Sequence, residues 1–274
     1  MKWLTLFVVL LVHQTVLSQY YLNDCIGLTQ SQEKYQLMRK HRIKLIEATS
    51  IEADGAATPG FVLQQTLQTD GKKMITTIGQ PNSSVETITN FYELSKLKKT
   101  VVKRSSLETK TEFFYHSKGM LEKLVSTTID SNQLQPVSET HFWTYGSNGA
   151  PIQMLKWGNS IDTLQVNFLS DSTGLVLEEN WIKKGKTVET YYYYYTNQRL
   201  TDVVRYNQRA KKLLPDFVYE YNAQDQLTQM AQFDGRSIVY WTYTYDPNGL
   251  RASETARDKQ KNILTKINYR FEKH

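Results

Sequence analysis

The sequence predicts an all-β fold: antiparallel hairpin repeats forming an elongated, twisted or curled meander sheet, with a short N-terminal helix or cap. Three observations carry this prediction. From about residue 41 onward polarity alternates with period two, as in Ile43, Leu45, Thr49 and Ile51 against Lys44, Ser50 and Glu52. A phrase recurs in which an aromatic-rich strand meets a short polar turn and then a leucine: YTYDPNGL from Tyr243 to Leu250, YEYNAQDQL from Tyr219 to Leu227, and YYYTNQRL from Tyr193 to Leu200. The anchors Tyr92, Tyr115, Tyr145, Phe168, Tyr195, Tyr221 and Tyr245 fall about 25 residues apart, the length of two strands and two turns.

The elements follow in order. Residues 1–18 read as a signal peptide: Lys2, an apolar run from Trp3 to Val12, and a stretch closing on Val16, Leu17 and Ser18, with cleavage after Ser18. The apolar run is too short for a membrane-spanning helix and no other stretch approaches that length, so no transmembrane segment is expected in the mature chain. The expected location is exported, periplasmic or extracellular. Residues 19–60 read as an N-terminal capping segment, with Thr29 to Lys40 as its helix candidate on Tyr35, Leu37 and Met38. Residues 61–274 read as a single β-hairpin repeat domain. Phe61–Leu67 and Met74–Ile78 flank Asp70-Gly71, which supplies the positive φ of a tight hairpin turn. Gly79–Ser84 is a loop around Pro81, and 130–140 and 206–216 are inter-hairpin loops containing Pro136 and Pro215.

Alternation also sorts the aromatics by face. Tyr191, Tyr193 and Tyr195 share one face, as do Phe217, Tyr219 and Tyr221, then Trp241, Tyr243 and Tyr245, and further upstream His141, Trp143 and Tyr145. These rows read first as an internal cross-strand ladder. They read second as a shallow ligand-binding aromatic face, for which Trp143, Tyr193, Tyr219, Trp241 and Tyr243 are the candidate residues. Tyrosine suits either role, because its ring buries while its hydroxyl reaches water.

Little recognisable chemistry remains. The net charge is +6, with basic knots at Arg39–Lys44 and Lys96–Arg104 that read as solvated strand faces; no nucleic-acid partner is expected. Cys25 is the only cysteine, which rules out an intrachain disulfide, and it reads as a buried or incidental thiol. HExxH, CxxC, GxSxG and phosphate-binding glycine loops are all missing. His41, His116 and His141 lack metal-ligand spacing, and His141 reads as a packing residue beside Trp143. Glu178 and Glu179 point to opposite faces of a strand and cannot pair as glycosidase acids. Asp246 and Asn222 read as turn residues bonding their own backbone, and Asn82-Ser83-Ser84 fits a glycosylation acceptor. No catalytic, cofactor-binding or metal-binding residue is expected, and no cofactor.

The YxY(D/N)xxGxL phrase, closest at Tyr243–Leu250 and weaker at Tyr219–Leu227, resembles the YD-repeat, or RHS-repeat, family of secreted and surface proteins. Degenerate copies at Tyr115 with Gly119 and Leu121, Tyr145 with Asn148-Gly149, and Phe168 with Gly174-Leu175 extend the resemblance over roughly residues 88–274. It implies antiparallel hairpins in a winding sheet, in a short bacterial exported protein. Large members enclose a toxic C-terminal domain in a shell of many repeats, and about seven units are too few for that.

On this reading the chain is an exported, non-enzymatic structural or interaction module of the bacterial cell envelope, with an envelope protein, glycan or lipid as partner. The alternative is a periplasmic or surface binding protein for a glycan, peptide or lipid. A hydrolase ranks third, since it requires two or three convergent acidic or histidine groups in a cleft.

Overall fold

The computed structural model describes residues 19–80, 83–133, 135–159, 161–207, 209–235 and 237–274. The signal-peptide segment, Pro81 and Asn82 lie outside them. The described chain opens with a π-helical stretch, Tyr21–Ile26, that runs directly into α1, Gly27–Lys40. Leu28, Tyr35 and Met38 are its buried side chains, seven and three residues apart and so on one helical face. The helix stops at His41, and Arg42 takes a positive φ of 56° as the chain turns into the first strand.

Eighteen strands follow. They are β1 (Ile43–Ile51), β2 (Val62–Leu67), β3 (Lys73–Gly79), β4 (Glu86–Glu93), β5 (Lys96–Arg104) and β6 (Leu107–Tyr115). Next come β7 (Leu121–Asp130), β8 (Val137–Tyr145), β9 (Pro151–Gly158), β10 (Ile161–Ser170), β11 (Val176–Lys183) and β12 (Lys186–Thr196). The last six are β13 (Arg199–Asn207), β14 (Lys212–Tyr221), β15 (Leu227–Asp234), β16 (Ser237–Tyr245), β17 (Arg251–Arg257) and β18 (Ile263–Lys273).

Each strand pairs antiparallel with the next, and β1 pairs with both β2 and β18. Ile46 lies opposite Phe271 on one side and Gln65 on the other. The ring is therefore closed, which corrects the expected elongated meander. β1, expected within the capping segment, is the strand that joins the two ends of the wall.

The cause of closure is visible in the register. Shifts occur immediately before Tyr92, Tyr115, Tyr145, Tyr195, Tyr221 and Tyr245, and one more follows Phe168. The residues that set the sequence period thus mark a bulge repeated at one end of successive hairpins. A bulge bends its strand and increases the local right-handed twist. Repeated around the sheet in the same sense, it brings the first and last strands together, and closure then pairs both exposed edges.

The recurrent turns share one geometry. Asp246 Oδ1 accepts the N–H groups of Asn248 and Leu250, Asp171 Oδ1 those of Thr173 and Leu175, and Asn222 Oδ1 those of Gln224 and Gln226. Gly249 and Gly174 hold the left-handed position at φ +79° and +94°; where the phrase lacks glycine, Asp225 occupies it at +64°. At four of the anchors the tyrosine ties its hairpin to the one before it. Tyr115 OH donates to the Leu97 carbonyl at 2.5 Å, Tyr145 to Leu121 at 2.6 Å, Tyr221 to Leu200 at 3.0 Å, and Tyr245 to Leu227 at 2.8 Å. The recurring tyrosine and leucine are the two ends of this bond.

Candidate functional site

The inner wall and the helix against it form the candidate site. Gln19 touches β14, Tyr20 touches β8 and β11, Tyr21 packs on Phe168 and Tyr193, Gln32 reaches Tyr115, and Tyr35 stacks on Tyr92. One short segment reaches strands from β4 to β14 only from the concave side of the ring, so the helix lies within the barrel.

Buried polar groups hold it there. Glu179 is fully buried and accepts four hydrogen bonds: from the backbone N–H of Tyr20 (2.8 Å) and Tyr21 (3.1 Å), from Trp181 Nε1 (2.7 Å) and from the Tyr193 hydroxyl (2.5 Å). The first N–H groups of a helix have no intrahelical partner, and Glu179 takes two of them from across the barrel. This explains why the helical segment begins well before Thr29. Burial pushes the Glu179 pKa up, and the four donors pull against that rise.

A second clamp joins the helix to β8 and β9. His141 Nδ1–H donates to Asp24 Oδ2 at 2.5 Å, Nε2–H donates to Glu139 Oε1 at 2.8 Å, and Lys156 Nζ donates to Glu139 Oε2 at 2.8 Å. The Tyr20 ring meets His141 edge-on, and Lys156 lies 5.2 Å from the centroid of that ring. Burial pulls the His141 pKa down, but the Asp24 charge and hydrogen bonds to both carboxylates outweigh it and raise it to about 9. Burial likewise opposes ionisation of Glu139, yet the bonds from His141 and Lys156 lower its pKa to about 2. The histidine is therefore an imidazolium with both N–H groups engaged. It has no lone pair with which to act as a base.

Two contacts complete the seat. The Tyr35 hydroxyl donates to the Gly71 carbonyl at 2.6 Å while its ring stacks on Tyr92, centroids 3.8 Å apart. Cys25 is part-buried beside these groups, and burial pushes its thiol pKa up, away from nucleophilic use.

The aromatic candidates sit on this inner face. Trp143, Tyr193, Trp241 and Tyr243 are buried, and Tyr219 is part-buried and stacked on Phe217. Trp143 Nε1, Trp241 Nε1 and the Tyr191 hydroxyl are buried with no hydrogen-bond partner among the described residues. Glu178 points outward and Glu179 inward, while His141, read from sequence as a packing residue, is a buried ion-pair partner. Sequence reasoning missed Tyr20, Asp24, Glu139 and Lys156. The one local signal was spacing by two, which puts Glu139 with His141 and Glu179 with Trp181 on one face.

The outer face mixes exposed ion pairs with exposed apolar side chains. Lys103–Glu108, Lys110–Glu112, Lys183–Asp162 and Arg270–Glu47 pair charges across or along its strands. From β8 to β16 the exterior displays Phe142, Trp157, Leu169, Tyr194, Tyr206 and Tyr240.

No family model and no curated protein matches the chain. Among solved structures it is similar to a porin-like protein from Bacteroides uniformis, at 12% identity and a TM-score of 0.43, over 85% of this chain and 97% of that one. It is also similar to part of the Photorhabdus luminescens Tc holotoxin pore, at 12% identity and a TM-score of 0.34, over 77% of this chain and 12% of that one. A third likeness, to part of TcdB2-TccC3-TEV, has 11% identity and a TM-score of 0.27, over 77% of this chain and 16% of that one. Likenesses this distant assign no function.

Two expectations are corrected. The YD-repeat resemblance implied antiparallel hairpins in a winding sheet of that family, whereas the 18 strands close on themselves and no family model matches. The expectation of a periplasmic or extracellular protein without a transmembrane segment rested on a search for helices. No helix among the described residues is long and apolar enough to cross a membrane. A closed barrel, however, satisfies every backbone group without one, so the exclusion of the membrane and the soluble location drawn from it no longer stand.

Proposed function

We propose that the protein is an exported, non-enzymatic structural or interaction module of the cell envelope, a β-barrel stoppered by its own N-terminal helix. The observation that carries this reading is the use of the buried reactive groups. Glu179, His141, Asp24, Glu139 and Lys156 are all engaged in seating the helix. Envelope contact would run through exposed apolar side chains of the outer wall, among them Phe142, Trp157, Leu169 and Tyr194. The test is to express the full chain in a Gram-negative host, fractionate the cells and wash the envelope with alkali. Retention in the washed envelope is expected; recovery from the cytoplasm with the leader attached overturns the reading. In planar bilayers the seated helix should leave no open conductance, and steady conductance would refute the stopper.

A second reading, capture of a glycan, peptide or lipid at the inner aromatic wall, is favoured by the unpartnered donors of Trp143, Trp241 and Tyr191. Saturable quenching of tryptophan fluorescence by envelope glycans or lipids would support it, and a flat titration would count against it.

A further inference from the structure

The residue before the helix sits among more carboxylates than cations. The four groups bonded to Glu179 are all neutral donors, and no ion pair reaches that carboxylate among the described residues. Nearby, Arg205 is shared between Asp216 (3.0 Å) and Glu189 (4.0 Å), leaving three carboxylates to one guanidinium. Gln19 bridges the two acids: its Nε2 donates to Asp216 Oδ2 at 3.0 Å, and the next backbone N–H donates to Glu179 Oε1 at 2.8 Å. Its own backbone nitrogen lies one residue from the N–H that Glu179 binds and on the residue whose side chain Asp216 binds. As a peptide amide that nitrogen is neutral with one donor; as a chain terminus it is a cation with three.

We propose that removal of residues 1–18 frees the Gln19 α-ammonium as the missing cation, and that its burial against Glu179 and Asp216 locks the helix into the barrel. Water hydrolyses the Ser18–Gln19 amide under a leader peptidase of the exporting host. Ser18 departs as a carboxylate with the leader, and the new amine takes up a proton. Processing and completion of the fold are then one event. The inference rests on export with leader removal.

The experiment uses the full chain produced in an exporting host. N-terminal sequencing and intact mass should show a chain starting at an unblocked Gln19. Reductive methylation at pH 7, read on the N-terminal peptide by mass spectrometry, should be at least tenfold slower for the native than for the denatured chain. Ser18→Trp, which retains the leader, should unfold at a lower denaturant concentration, and Glu179→Gln should erase that difference. An unprocessed wild-type chain refutes the export reading and this inference together. A different start, a Gln19 cyclised to pyroglutamate, or an amine as reactive as in the denatured chain refutes the lock and leaves export standing. If Glu179→Gln does not fold, protection of the unmutated amine decides the question alone.

Discussion

Replacing His141 with glutamine removes the cation of the clamp between helix and wall while keeping a polar side chain of similar reach. The His141 pKa rises from 6.5 to about 9 because the Asp24 charge and two hydrogen bonds overcome the cost of burial. The folded chain holds the proton more tightly than the unfolded one, so the stabilisation is complete below pH 6.5 and is lost as pH climbs through 9. Linkage puts the loss between pH 6.5 and 9 at about 2.5 kcal/mol. At neutral pH the variant strips the buried Asp24 of its paired cation and leaves Glu139 with Lys156 alone, at a cost of about 3–5 kcal/mol. The assay is denaturant unfolding of wild type and His141→Gln at half-unit intervals from pH 6.5 to 9. Buried tyrosines weaken the fold only above pH 10, the free tyrosine value, and do so equally in both chains. The wild-type curve should fall toward that of the variant as pH rises. Parallel curves would refute the assignment of a buried imidazolium. Glu139, lowered from 4.5 to about 2, contributes stability that is present above pH 4.5 and lost as pH falls through 2, so it does not interfere.

Other outcomes follow from the same geometry. Tyr193→Phe removes the 2.5 Å bond to Glu179 and should cost about 1.5–3 kcal/mol, read by calorimetry. Trp143→Ala, on the inner wall, should cost about 3–5 kcal/mol, whereas Phe114→Ala, on the outer wall, should stay within about 0.5 kcal/mol; equal costs would overturn the assignment of faces. Gly249→Ala meets nothing closer than Gln226 Nε2 at 3.5 Å, so its expected loss of about 1–2 kcal/mol is backbone strain at φ +79°, measurable as a shifted unfolding midpoint without loss of β-structure.

Legibility tracked distance along the chain. Asp246 and Asn222 were readable as turn residues because their carboxyl and amide oxygens bond N–H groups two and four positions on. The bond from Tyr245 to Leu227, 18 residues back, was visible only as a period. Its partners recur in most copies, but nothing in the repeat says that they touch. The clamp residues left no such trace, because Asp24 meets His141 across 117 positions and Tyr20 meets Glu179 across 159.

The sequence by itself determined most of the strands, their hairpin order, the faces of the aromatic rows and the chemistry of the turns, though Pro215, expected in a loop, lies within β14. All of these depend on alternation, on φ preferences and on contacts within one repeat. Only the tertiary structure decided that the sheet closes, that the rows face inward and that a helix occupies the interior. Closure depends on curvature summed over many bulges until Ile46 and Phe271 stand opposite each other, and no local pattern encodes a sum. Once the ring closes, the inside becomes a low-dielectric space in which an unpaired charge is costly. That is why a histidine of ordinary sequence context becomes a buried cation, and why Glu179 becomes the anchor of a helix that begins far from it in the chain.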